Sequence, residues 1–131
     1  MLKTEAERLP WDDGIFDCYV SNYVLHEVEN PMSQILEAYR VLKTGGVAAF
    51  SVWGTRENSN SMTVVENAYI KSNFEVPKIF EGFWLSQSDL LKEILYEAEF
   101  GRVHIFSKVY PFPFDTVEKA MEFYTSHPMY K

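Results

Sequence analysis

The sequence predicts an α/β chain built on a parallel sheet, and three stretches carry that prediction. Phe16 to Leu25 is rich in apolar and aromatic residues, Val20 and Val24 among them, as in a strand buried on both faces. Asn30-Pro31 opens a helix, with Asn30 as its cap and Pro31 at the first helical position. Met32, Ile35, Leu36, Tyr39 and Leu42 recur along it at helical spacing, which gives it one apolar face. Gly45-Gly46 is expected to stop the helix where a positive φ is needed. Val47 to Trp53 is then a second buried strand. Strand, crossover helix, strand is the βαβ unit of a parallel sheet, right-handed by rule.

The remaining elements are read in chain order. Met1 to Asp13 is a polar, acidic loop, and Asp12-Asp13-Gly14 closes it with a turn. Gly54 to Ser61 is a polar loop, and Met62 to Asn73 reads as a helix with Val64, Val65, Ala68, Tyr69 and Ile70 at helical spacing. Phe74 to Leu85 lacks periodicity and reads as irregular, apolar cover. Ser86 to Asp89 resembles a capping box, followed by an amphipathic helix on Leu90, Leu91, Ile94, Leu95 and Ala98. Arg102 to Tyr110 alternates in part and predicts a strand, with Val103 and Ile105 to one side. Pro111 to Phe114 breaks it. Asp115-Thr116 caps a last helix, with Val117, Ala120, Met121 and Tyr124 on one face, and His127-Pro128 ends it. One domain spans 1–131, with a loop–strand–helix–strand core over 1–54 and helices, a strand and a covering region over 55–131.

Composition narrows the function classes. A length of 131 residues, 47% hydrophobic and 16% aromatic, suffices for one domain with a core and argues against disorder. A net charge of -7 makes nucleic-acid backbones and anionic membrane surfaces poor partners. The one cysteine, Cys18, falls in the first strand and reads as a small core hydrophobe, so a reducing compartment, the cytoplasm, is expected. No apolar run approaches the ~18 residues of a membrane span, and no secretory leader pattern is visible. His26, His104 and His127 lack ligand-like spacing, so no metal is expected.

Several short pieces, in order over residues 5–51, carry a family resemblance. They are Glu5-Ala6, Leu9-Pro10-Trp11, Phe16-Asp17, Ser21-Asn22, Leu25-His26-Glu27-Val28, Tyr39-Arg40-Val41-Leu42-Lys43-Thr44-Gly45-Gly46 and Phe50-Ser51. Together they resemble the second half of a class I S-adenosylmethionine-dependent methyltransferase of the small-molecule, UbiE-like type. The resemblance continues more loosely to about Ser126. It implies a partial Rossmann-like parallel sheet with flanking helices and its first strands missing. The family's first half carries a glycine-rich loop for the cofactor's methionine end and an acidic residue for its ribose. Here the six glycines form no GxG, so the chain is expected to begin just after the third strand would end. The helix that the family usually ends in Ala-Gly-Phe reads Ala98-Glu99-Phe100 here, so its end is expected to be displaced.

The resemblance also implies a site. Glu5 and the backbone N–H of Ala6 stand where the family holds the adenine of S-adenosylmethionine. Ser21, Asn22 and Tyr23 fall at the carboxyl end of the first strand, where open parallel sheets bind ligands, with Asn22 beside the cofactor's methionine part. A solvated acidic loop and an ordinary strand-end Asn are the plain alternatives. His26 is a weak candidate for a general base, or else a packing residue. Phe80, Phe83, Trp84, Phe112, Phe114, Phe123 and Tyr124 fall where the family covers its substrate, which suits a small, apolar acceptor, or else they are ordinary core.

Two kinds of function follow. One is methyl transfer from S-adenosylmethionine to a small molecule. The other is a non-catalytic remnant whose first strand, lacking its neighbour, is a sticky edge covered by a second copy or by a chain supplying the missing half. A nicotinamide-binding Rossmann domain is a weaker third reading, because its fingerprint loop is also absent.

Overall fold

The structure, a computed structural model, describes residues 3–76 and 82–126. The chain divides into two units, residues 1–54 with 82–106, and residues 55–81 with 107–131.

The first unit contains the predicted crossover. Strand β1 (Phe16–Asn22) and strand β2 (Leu42–Ser51) pair in parallel, and helix α1 (Pro31–Val41) connects them. Asn30 caps α1 as its sequence predicts: its side-chain oxygen accepts from the Ser33 N–H at 3.2 Å, and Pro31 follows at the first helical position. The helix buries Gln34, Ile35, Ala38 and Val41, while Leu36 and Tyr39, expected on the apolar face, are 48% and 42% exposed. The buried stripe is rotated because Gln34 takes an inward position. Its amide nitrogen donates to the Tyr19 hydroxyl at 3.2 Å and the Ser21 hydroxyl at 2.8 Å, which satisfies the amide donors there, while its buried Oε1 has no partner among the described residues.

Three expectations for this unit are corrected. First, β1 ends at Asn22 rather than Leu25, because Tyr23 adopts φ 56° and turns the chain out of the ladder. Leu25 is nevertheless fully buried in the core. Second, α1 ends at Val41, and Leu42 already has extended geometry, so Gly45-Gly46 does not stop the helix. The four residues Lys43 to Gly46 instead bulge between the pairs Phe16–Leu42 and Cys18–Val47, with Gly45 at φ 83°. Third, the strands are buried on one face only. Tyr19, Ser21, Ala48 and Phe50 face the helical side, whereas Cys18, Val20, Val47 and Ala49 face away and are exposed, Val20 at 69% and Val47 at 63%. Side chains alternate across a strand, and among the described residues helices cover one side. Cys18 is therefore not a core residue here.

After α2 (Asn60–Lys71) of the second unit, helix α3 (Ser88–Glu97) completes the core of the first unit. Leu25, Ile35, Leu85, Leu91, Leu95 and Ala98 form that core. Gln87, not Ser86, occupies the cap of α3 and makes no side-chain bond, so the expected capping box is not formed. The helix ends through Glu99 at φ 66°, after which the Phe100 N–H donates to the Leu95 carbonyl at 3.2 Å. The predicted strand at Arg102 to Tyr110 is not formed: among the described residues the sheet has two strands, and these residues join no ladder. Val103 packs on the core, while Phe106 is 84% exposed.

In the second unit, α2 (Asn60–Lys71) buries Met62 and Thr63, and Arg56 pairs with Glu66. Helix α4 (Val117–Ser126) begins after Thr116, whose hydroxyl accepts from the Lys119 N–H at 3.3 Å. Val117 and Met121, expected on its packed face, are exposed. Phe112, Phe114, Phe123 and Tyr124 instead pack with ring centroids 5.2–5.8 Å apart. No helix among the described residues is long and apolar enough to cross a membrane.

Candidate functional site

The carboxyl ends of β1 and β2 lie side by side, with Asn22 paired to Ser51. The Ser51 hydroxyl donates to the Asn22 side-chain oxygen at 2.7 Å. The Tyr23 N–H donates to both the carbonyl, at 3.1 Å, and the hydroxyl, at 3.0 Å, of Ser51. These bonds hold Tyr23 in the left-handed region, a conformation that costs a non-glycine residue about 1–2 kcal/mol. The turn brings the Tyr23 ring 4.6 Å from Trp53, with His26 packed 6.4 Å from Tyr23 and 6.5 Å from Trp53.

The predicted site residues divide. Asn22 and Tyr23 are exposed at the strand ends, whereas Ser21 is 5% exposed and turned toward Gln34 on the helical face. The His26 side chain is 2% exposed, and its Nε2 lies 3.2 Å from the Glu27 carboxylate. Burial pushes its pKa below the ordinary value, against an opposing pull from Glu27. Of the aromatic set, Phe80 lies outside the described residues, Phe83 and Trp84 belong to the first unit, and the other four form the cluster of the second. Among the described residues no three His, Cys, Asp or Glu side chains could hold a metal ion.

Glu5 is exposed and Ala6 half-buried on a tight turn that the Arg8 N–H closes onto the Glu5 carbonyl at 3.2 Å. The loop that follows runs along α1 from one end to the other. At the helix start, the Asn30 N–H donates to Glu7 at 2.7 Å. Further on, the Leu9 N–H donates to Glu37 at 2.7 Å. At the helix end, the Gly14 N–H donates to the Arg40 carbonyl at 2.9 Å. Sequence reasoning missed Glu37, Ser51 and Trp53 as contributors to this region. For two of them the signal is positional: Ser51 ends the second strand as Asn22 ends the first, and Trp53 comes just beyond the second as Tyr23 does beyond the first.

The donor set fits part of S-adenosylmethionine. A free-standing carboxylate with an adjacent backbone N–H suits an adenine edge, and the Asn22–Ser51 pair suits a polar amino-acid end. A glycine-rich loop for that end is absent from the sequence.

The chain is similar to known methyltransferases. A family model for the methyltransferase domain matches residues 1–50. The chain is 46% identical over 48 residues to 2-methyl-6-phytyl-1,4-hydroquinone methyltransferase 1, chloroplastic, of Oryza sativa subsp. japonica, covering 37% of this chain and 14% of that protein. It is 40% identical over 45 residues to the ubiquinone/menaquinone biosynthesis C-methyltransferase UbiE of Brucella anthropi, covering 34% of this chain and 17% of that protein. Among solved structures it resembles a SAM-dependent methyltransferase from Thermotoga maritima, with a TM-score of 0.52 and 26% identity over 74% of this chain and 44% of that one. The match thus spans less than a fifth of each of these two curated relatives. Over residues 1–50 the chain is thus similar to the methyltransferase domain, and its relatives and parallel βαβ fold are those of UbiE-like class I S-adenosylmethionine-dependent methyltransferases.

Proposed function

We propose that this chain is part of an S-adenosylmethionine-dependent methyltransferase that acts on a small, apolar molecule, a ring carbon of a quinol-like acceptor. The observation that carries the reading is the family-matched loop–strand–helix–strand segment, whose two strands end together at Asn22 and Ser51. The names of the quinone and hydroquinone methyltransferases among its relatives support the acceptor class.

The bound cofactor supplies a methyl group on a sulfonium centre. The Glu5 carboxylate would hold the adenine amino group and the Ala6 N–H a ring nitrogen. Asn22, fixed by Ser51, would hold the polar end. Such sites act mainly by holding two reactants close and aligned, so few side chains need acid–base roles. His26, buried and paired with Glu27, is assigned to packing the corner beneath Tyr23 and Trp53. Titration calorimetry with S-adenosylmethionine tests the reading: micromolar binding is expected, and no heat at millimolar cofactor refutes it for this chain.

One observation favours a second reading, a chain whose role is to pair. The uncovered sheet face presents Val20 and Val47, and each strand has one edge with no strand against it among the described residues. A second copy, or a chain supplying further strands, would cover it. A monomer by light scattering, with fast amide exchange along Asp17 to Asn22, rules this out.

A further inference from the structure

The Arg40 side chain has five N–H donors, and all five are used. Its Nε donates to one oxygen of Glu37 at 2.8 Å, and its Nη2 donates to the other at 2.8 Å, a side-on bidentate pair. The second Nη2 hydrogen goes to the Leu9 carbonyl at 3.1 Å. Nη1 donates to the Trp11 carbonyl at 2.7 Å and to Asp13 at 2.6 Å. Glu37 in turn accepts from the Leu9 N–H. One guanidinium therefore joins the helix to both backbone groups of Leu9, directly or through Glu37, and to Trp11.

This connection matters because the loop has no sheet to lie in. Its internal turn at Glu5–Arg8 is closed on itself, and it is moored outside by Glu7 on Asn30 and by the Leu9 contacts. With the Leu9 mooring removed, the turn keeps Glu7 on Asn30, and the next backbone anchor along the chain is Gly14 on the Arg40 carbonyl, so the segment between is free to shift. We propose that Arg40 is a positioning residue for the cofactor's adenine end, holding the Leu9–Asp13 segment and, through it, Glu5 and Ala6. The inference rests on the cofactor reading above.

Lysine keeps the charge but has three donors on a single atom, so it cannot span Leu9, Trp11, Asp13 and both oxygens of Glu37. That makes Arg40→Lys the discriminating variant, with Asp13→Asn as a milder second that removes one charge from the set. The full chain is compared with each variant by amide exchange, by calorimetry with S-adenosylhomocysteine and by urea unfolding. Arg40→Lys is expected to speed exchange at Leu9 at least tenfold and to weaken S-adenosylhomocysteine about tenfold. The urea midpoint and exchange at Ile35 should stay near wild type. Asp13→Asn should shift both loop readouts the same way, by less. Wild-type affinity in Arg40→Lys, or unchanged exchange at Leu9, overturns the proposal. If the wild-type chain gives no heat with S-adenosylhomocysteine while Arg40→Lys still frees Leu9, the cofactor reading has failed and the clamp is architectural.

Discussion

Gly45 and Gly46 sit next to each other in the bulge of β2, yet they are glycine for different reasons, and substitution separates them. A Cβ on Gly46 would stand 2.9 Å from the Lys43 carbonyl oxygen, 3.1 Å from Leu42 Cδ2 and 3.3 Å from the Asp17 carbonyl oxygen. Two of these three neighbours are backbone, one on each strand, so neither can rotate aside. Relief requires the strands to part where the register breaks between Phe16 and Cys18. Overpacking of this kind costs about 1–3 kcal/mol. A Cβ on Gly45 meets nothing within 4 Å, and its φ of 83° is the whole cost. Left-handed geometry costs alanine about 1–2 kcal/mol, offset by about 0.4–1 kcal/mol from a stiffer unfolded chain.

Equilibrium urea unfolding of Gly45→Ala and Gly46→Ala should therefore show the larger loss at position 46. The asparagine variants sharpen the test, because asparagine tolerates left-handed geometry but brings a larger side chain. Gly45→Asn should recover much of the alanine loss, and Gly46→Asn should recover none. A Gly45→Ala loss equal to or above that of Gly46→Ala, or recovery by asparagine at 46, refutes the assignment of strain to one glycine and crowding to the other.

Two further outcomes follow from burial. Ile35→Ala empties a fully buried core position and should lose about 2–5 kcal/mol in urea unfolding, whereas Leu36→Ala, at a site 48% exposed, should lose well under half of that; equal losses would mean α1 packs by its other face. His26, with its pKa below the ordinary 6.5, favours the neutral ring in the folded chain. Its contribution to stability is thus present above that value and is lost as pH falls through the lower, folded-state pKa. An NMR titration of its ring protons should show a midpoint below 6.5, and a midpoint at or above it would place Glu27, not burial, in control.

The crossover was legible because its signals are local. Asn30-Pro31 fixes the start of α1 through one side chain and one ring, and an apolar run before and after it supplies two strands. What was not legible depends on neighbours. Val20 and Cys18 read as buried because an apolar residue in a strand usually is, but burial requires a layer on that side. Arg102 to Tyr110 has strand composition, and composition cannot supply the adjacent ladder that makes a strand. The same limit applies to the site. Asn22 and Tyr23 could be placed at a strand end from sequence, but their partner Ser51 lies 29 and 28 residues away and is brought beside them only by the parallel register. Glu37 and Arg40 look like an ordinary solvent-facing pair one helical turn apart until the loop is laid along α1.

The end of α3 carries the one departure from the family's pattern that has a direct energetic reading. Glu99 occupies the left-handed position after the helix, at φ 66°, where glycine is the usual residue. The reversal is still made, because the Phe100 N–H reaches the Leu95 carbonyl and the Phe100 ring packs on the core and edge-on to Tyr39, with centroids 5.3 Å apart. The glutamate side chain is exposed, so its replacement removes no packing. Glu99→Gly relieves about 1–2 kcal/mol of backbone strain and gives back about 0.4–1 kcal/mol to the freer unfolded chain. A glycine placed after a helix should therefore raise the urea midpoint, against the ordinary direction for that residue. Glu99→Ala, which keeps the Cβ and removes the charge, should leave it near wild type. If alanine stabilises as much as glycine, the carboxylate near the helix's negative end is what costs stability, and the backbone account fails.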